Sequence, residues 1–163
     1  MELYIVRHGD AADRSAGRYL RDADRPLTAT GEAEVLAAAG GLARLGVAID
    51  LLLTSPLVRA RQTADLLASV VGGSHQPEEC LALAPGGELS AVFHAIHGQQ
   101  RVMVVGHNPS LGELAGWLAF GDPMATVPLR TAGICRVDLA VGSTPGQGVL
   151  RWLLPPRLAA RLT

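Results

Sequence analysis

Three short stretches of this chain carry side chains from which chemistry could be built. Arg7-His8-Gly9 follows an apolar run directly. Thr54-Ser55-Pro56 follows a second, with Arg59 one helical turn on. Gly106-His107-Asn108-Pro109 follows a third. Together they bring two guanidiniums and two imidazoles. Guanidinium pairs with phosphate oxygens bidentately. A neutral imidazole nitrogen is a nucleophile able to form a covalent phosphoenzyme. The guanidiniums and the second imidazole would then neutralise the equatorial oxygens of a phosphoryl group passing in line, and no metal is required for that. Taken singly, His8 reads as an ordinary strand-end histidine and Arg7 as a surface charge. Their recurrence with Arg59 and His107 at matching strand ends points to a phosphate pocket.

The elements that would position these groups alternate between strand and helix, the pattern of an α/β layer architecture. Strands are expected at Glu2–Val6, Ile49–Leu53 and Val102–Val105, with a weak one near Cys80–Leu83. Cys135, Val137, Leu139 and Val141 alternate with Arg136 and Asp138 as in a strand with one wet face. A Gly142–Gly148 turn joins that strand to a last one at Val149–Leu154, giving a hairpin. Asp10–Leu27 is charged and reads as a solvated loop. A helix comes next, capped by Thr28 or Thr30, with Glu32 and Glu34 in its first turn and Gly46 as its stop. Leu57, Ala60, Ala64, Leu67 and Val71 form the apolar stripe of a second helix, which leaves Arg59 outside the core. Leu89–Ile96 and Leu111–Leu118 have helical spacing too. Ser55 and Asn108 are expected as N-caps, each followed by a proline at the first helical position. Two helix N-termini would then face the carboxyl edge of the sheet, where open α/β sheets bind ligands. Glycine at position 9 would allow a tight turn and close approach to the ligand.

Composition narrows the classes. The 163 residues are expected to form one domain spanning 1–163. The formal net charge is −1, giving no basic excess for nucleic acid. All 14 basic residues are arginines, which excludes lysine chemistry. No apolar run reaches the length of a membrane span and no secretory signal precedes the first strand, so a cytoplasmic protein is expected. Cys80 and Cys135 lack paired spacing and read as free thiols; no metal site is expected. No long apolar surface stripe is left over, so a monomer is expected. His75, His94 and His97 read as surface histidines, and Thr63 as a helix-surface residue. Arg14, Arg18, Arg21 and Arg25 read as part of a solvated loop balanced by Asp13, Asp22 and Asp24.

RHG after the first strand, DRPLTATGEAEV (24–35), SPLVRARQTA (55–64) and GHNP (106–109) together resemble the histidine phosphatase superfamily, which includes the phosphoglycerate mutases. The small size and the RHGDA start are most similar to the SixA-type phosphohistidine phosphatases. The resemblance implies a three-layer, phosphoglycerate mutase-like fold: a mixed six-stranded sheet with helices on both faces. It implies a phosphohistidine intermediate on His8, catalytic roles for His8, Arg7, Arg59 and His107, and no cofactor. Arg7, Gly9, Arg59, His107 and Asn108 would bind substrate. Many relatives carry an acidic residue after the middle strand that protonates the leaving oxygen. The corresponding region here, CLALAPGGE (80–88), offers only Glu88; Asp10, Asp13 or water are equal candidates. Imidazole, whose conjugate acid has a pKa of about 6.5, leaves far more readily than an alkoxide, so phosphohistidine needs no strong general acid.

Three functions are compatible with these residues. The first is removal of phosphate from phosphohistidine, with a histidine-phosphorylated carrier protein as partner. The second is hydrolysis of small phosphorylated metabolites by the same route, favoured by a deep pocket with a well-placed acid. The third is a silent phosphate-binding module, which a phosphoenzyme test would separate from the other two.

Overall fold

The computed structural model describes residues 1–13, 17, 19–73 and 75–162. Arg14 and Arg18 of the charged loop therefore lie outside the described residues. Leu3–Val6 has no charged side chain and is buried on both sides, which suits it to the sheet interior. It forms β1 (Glu2–Arg7), flanked by β4 (Arg101–Gly106) in parallel and β5 (Ile134–Asp138) antiparallel. β2 (Leu51–Thr54) lies parallel to β4 on its other side, then the two-residue β3 (Glu78–Glu79). β6 (Val149–Leu154) closes the far edge against β5. The order is β3-β2-β4-β1-β5-β6, a mixed six-stranded sheet.

Alternating side chains divide the core in two. Leu3, Ile5, Val102 and Val104 face α3 (Leu89–Ile96) and α4 (Ser110–Phe120). Tyr4, Val6, Met103 and Val105 face α1 (Ala29–Arg44), α2 (Val58–Val71) and α5 (Pro156–Ala159). Both faces are thus covered, and fully burying a side chain such as Leu42 or Leu114 contributes about 1.5–3 kcal/mol. β1, β2 and β4 are parallel, so their carboxyl ends emerge at one edge.

Several local expectations change. Thr28, not Thr30, caps α1: its Oγ1 accepts the Gly31 N–H at 3.0 Å. Glu34 lies beyond the first turn. The strand expected at Cys80–Leu83 is a 3₁₀ turn (Leu81–Leu83), and the strand pairing occurs just before it at Glu78–Glu79. Only Leu83 of that apolar run is buried, while Leu81 is 77% exposed. β5 ends at Asp138, and Val141 is fully exposed beyond it. α2 begins at Val58 and α4 at Ser110, so Ser55 and Asn108 are not the N-caps of these helices. Each has a tertiary partner instead, described below.

Candidate active site

The three strand ends meet. β1 and β4 are adjacent, and their register pairs Arg7 with Gly106, so His8 and His107 leave the sheet side by side. The imidazole centroids are 4.9 Å apart, with the rings tilted by 57°. The His8 backbone is clamped on both sides: its N–H donates to the Gly106 carbonyl and its carbonyl accepts from Ala132 N–H, both at 3.1 Å. Arg7, His8, Asp10, Arg25, Arg59 and His107 are among the residues lining a cavity of about 320 Å³.

The His8 ring has a defined orientation. Nδ1 lies 2.6 Å from the Gly9 carbonyl, an acceptor, so Nδ1 carries the proton. Nε2 is then the lone-pair nitrogen, and it accepts from Arg59 Nε–H at 3.2 Å. Burial, and after it the Arg59 and Arg7 charges, pull the His8 pKa down to about 4. Burial likewise lowers His107 to about 3, with His8 and Arg59 adding to it. Both imidazoles are therefore neutral at pH 7.

His107 is held by Ser55. Its Nε2 is 2.9 Å from Ser55 Oγ, and Ser55 is fully buried at the end of β2. The same oxygen accepts the Leu57 N–H at 3.3 Å. His107 Nδ1 is buried without a hydrogen-bond partner, as is Arg7 Nε. Buried polar atoms of this kind call for an explanation, and at the wall of a cationic cavity an anion satisfies His107 Nδ1 if that nitrogen carries the proton. Arg7 Nη1 donates to the Leu129 carbonyl at 3.0 Å, and Asn108 Nδ2 donates to the same oxygen at 2.8 Å. The loop after α4 therefore borders the site. It packs there because α4 presents Gly112 and Gly116 to it; a Cβ at either position would collide with the Val127 or Ala125 carbonyl.

Arg59 is only 4% exposed, although its position off the apolar stripe argues against burial. It is buried by polar partners rather than by the core. Its Nη1 donates to the Asp22 carbonyl at 2.8 Å and its Nη2 to Asp22 Oδ2 at 2.9 Å. Asp22 Oδ1 pairs with Arg25, whose Nη1 also donates to the Ala12 carbonyl. Burial raises the Asp22 pKa, but Arg59 and Arg25 outweigh it and hold the carboxyl below its ordinary range. Residues 21–25 are thus folded over the site, and Arg25 is a third guanidinium at the cavity.

Packing requires glycine at position 9. A Cβ there would meet Val35 and the Gly31 carbonyl of α1. Its N–H is taken by Thr63 Oγ1 at 3.1 Å, and Thr63 Oγ1 donates to the Arg59 carbonyl at 2.7 Å. Thr63 is therefore fully buried, not on the helix surface. Of the carboxyl candidates for proton transfer, Asp10 lines the cavity and accepts from Thr28 Oγ1 at 2.8 Å. Glu88 stands at the N-cap of α3, and the cavity wall in that region is Pro85. His75, His94 and His97 are exposed, as expected. Cys80 and Cys135 are free, and burial pushes the Cys135 thiol up to about 12. Among the described residues no group of three His, Cys, Asp or Glu side chains could hold a metal ion, and no helix is long and apolar enough to cross a membrane.

Comparison with known proteins identifies the family and agrees with the fold. Residues 3–84 match the family model of the histidine phosphatase superfamily, branch 1. Over 139 residues the chain is 44% identical to an uncharacterized protein of a Picosynechococcus species, covering 82% of each. It is 33% identical over 163 residues to the phosphohistidine phosphatase SixA of Escherichia coli K12, covering 96% of this chain and 94% of that one. The solved structure of the protein histidine phosphatase SixA complexed with tungstate superposes with a TM-score of 0.84 at 31% identity, covering 96% and 98%. The phosphoglycerate mutase of Thermus thermophilus shares the fold, with a TM-score of 0.60 at 23% identity over 94% and 98%.

Proposed function

This chain belongs to the histidine phosphatase superfamily, and we propose that it removes phosphate from phosphohistidine in proteins through a covalent intermediate on His8, without a metal. The observation that carries the reading is the His8 ring: Nδ1 donates to Gly9, which leaves the Nε2 lone pair facing Arg59 in the cavity.

In this mechanism the incoming phosphoryl group takes the Arg59 Nε–H away from Nε2. The freed lone pair attacks phosphorus in line. The bond from phosphorus to the substrate imidazole breaks, and that imidazole takes its electron pair and a proton from solvent. Arg7, Arg59 and His107 bear the charge on the equatorial oxygens. His107 would donate through Nδ1 while Ser55 O–H supplies its Nε2. Water then attacks phosphorus on His8, releasing phosphate and restoring neutral His8. The Pro85 wall has no proton to give, and imidazole as leaving group demands little help.

A second reading has its own observation. Asp10 lines the cavity and could protonate an alkoxide, which would suit a phosphatase of small phosphomonoesters. The two are separated by assaying a histidine-phosphorylated carrier protein against a panel of phosphomonoesters, with chelator present and His8→Ala as control. The expected result is fast, His8-dependent loss of phosphate from the protein. Turnover confined to one phosphomonoester would overturn it in favour of the second reading. No label on His8 from any phosphodonor would leave a silent binding module.

A further inference from the structure

Beyond the phosphate pocket, the wall formed by Arg7 continues into two clefts. One, of about 340 Å³, runs between Arg7, Arg130 and Arg157, with Glu34 as its one carboxylate among the described residues. The other, of about 430 Å³, shares Arg7 and Arg130 and is walled by Pro128, Leu153 and Pro155. Arg130 and Arg157 are both exposed. Neither has a carboxylate within ion-pair distance among the described residues, which holds also for Arg7, Arg44 and Arg161, whereas Arg21, Arg25, Arg59, Arg61, Arg101, Arg136 and Arg151 are paired. In a chain of net charge −1 this flank has three guanidiniums against one carboxylate. Leu153 adds an apolar patch, 37% exposed, between them. The prolines stiffen the walls, so little ordering is needed to receive a partner.

We propose that this flank is the docking surface for the protein that carries the phosphohistidine, and that the docked face is acidic, with carboxylates paired to Arg130 and Arg157 and an apolar side chain on Leu153. The inference rests on the phosphohistidine reading above and names its substrate class: phosphohistidine set in an acidic protein surface. A free phosphorylated metabolite filling only the phosphate pocket would leave both arginines without partners. Rim charges of this kind act mainly on encounter rate and salt dependence, so the contribution belongs in kcat/KM and not in kcat.

The test uses three probes: free phosphohistidine, a phosphohistidine peptide flanked by glutamates and a leucine, and the same peptide with the glutamates replaced by glutamine. Wild type is compared with the double variant Arg130→Ala, Arg157→Ala. The acidic peptide should be cleaved with a kcat/KM about tenfold above that of the glutamine peptide at low salt, and the preference should shrink as salt rises. The double variant should lose the preference while hydrolysing free phosphohistidine within about twofold of wild type. Equal cleavage of the two peptides by wild type would overturn the proposal. A variant impaired equally on all three probes would also overturn it, since the arginines would then serve the pocket or the fold. Selective inhibition of wild type by pyrophosphate, lost in the variant, with no peptide preference, would assign the flank to a small second anion instead. Binding of the unphosphorylated acidic peptide, measured by fluorescence anisotropy, keeps the two readings apart. If no probe is hydrolysed, tighter binding of that peptide to wild type than to the variant still supports docking, and equal binding overturns it.

Discussion

The sheet has a cavity at each end, and the two differ in kind. At the amino end, Met1, Phe93, His97, Gln100 and Leu139 are among the residues around a space of about 240 Å³. Its polar chain end is already satisfied, since the Met1 amino group donates to the Leu139 carbonyl at 2.6 Å. The carboxyl end holds His8, Arg59 and His107, with two imidazoles of lowered pKa and two buried nitrogens left unpaired. A cavity becomes a candidate site through polar groups that the protein itself leaves unsatisfied, not through its walls alone. The carboxyl end owes this to topology. Four parallel strands, β1 to β4, deliver loops there, while the amino end receives the connections back into them and the β5–β6 turn.

The largest expected effect at the carboxyl end belongs to Arg59. Arg59→Ala should lower kcat by about 10²–10³-fold, the effect of removing one transition-state charge partner; near-normal single-turnover rates would remove Arg59 from the proposed mechanism. Asp22 sharpens the point because it holds the guanidinium of Arg59. Asp22→Ala should cost about tenfold in kcat, and Asp22→Asn, which keeps an oxygen acceptor, should recover part of that. Equal losses in both variants would mean that the carboxylate charge, not the positioning of Arg59, is what counts.

Acidity provides the next test. His8 and His107 are held below about 6.5, mainly by burial, so unfolding lets both take up protons below that pH. Their contribution to stability is whole above about pH 6.5 and is lost as the pH falls toward 4 and 3. Thermal denaturation should therefore show Tm falling through that window, and less steeply in His107→Ala. For the same reason kcat/KM should have no inflection near about 6.5 from the free enzyme's His8. An inflection there in a pH–rate profile would mean that His8 titrates as an exposed imidazole. The smallest effect belongs to the amino end: His97→Ala should leave turnover within about twofold, as for a surface substitution away from the site. A larger change would mean that this cavity communicates with the chemistry.

Arg7, His8 and His107 are legible in the sequence because each stands at or just past an apolar run that reads as a buried strand, and Arg59 because it lies one helical turn beyond the end of another. The alternation of strand and helix sets the layers in the same way. The partners of those residues are not legible. Ser55 has the pattern of a helix cap, yet it holds His107 across 52 residues of chain. Thr63 has the position of an exposed residue, yet it anchors Gly9 from 54 residues away. Asp22 and Arg25 have the look of charges in a solvated loop, yet Asp22 fastens Arg59 across 37 residues.

The sequence by itself determined the identity of the groups at each strand end, since local pattern decides where a strand stops and which residues come next. Only the tertiary structure decided which of them are neutral, which nitrogen carries the proton, and which oxygen holds each guanidinium. Those properties depend on desolvation and on hydrogen bonds between distant segments, and neither exists until the β1, β2 and β4 ends and the 21–25 turn are brought together.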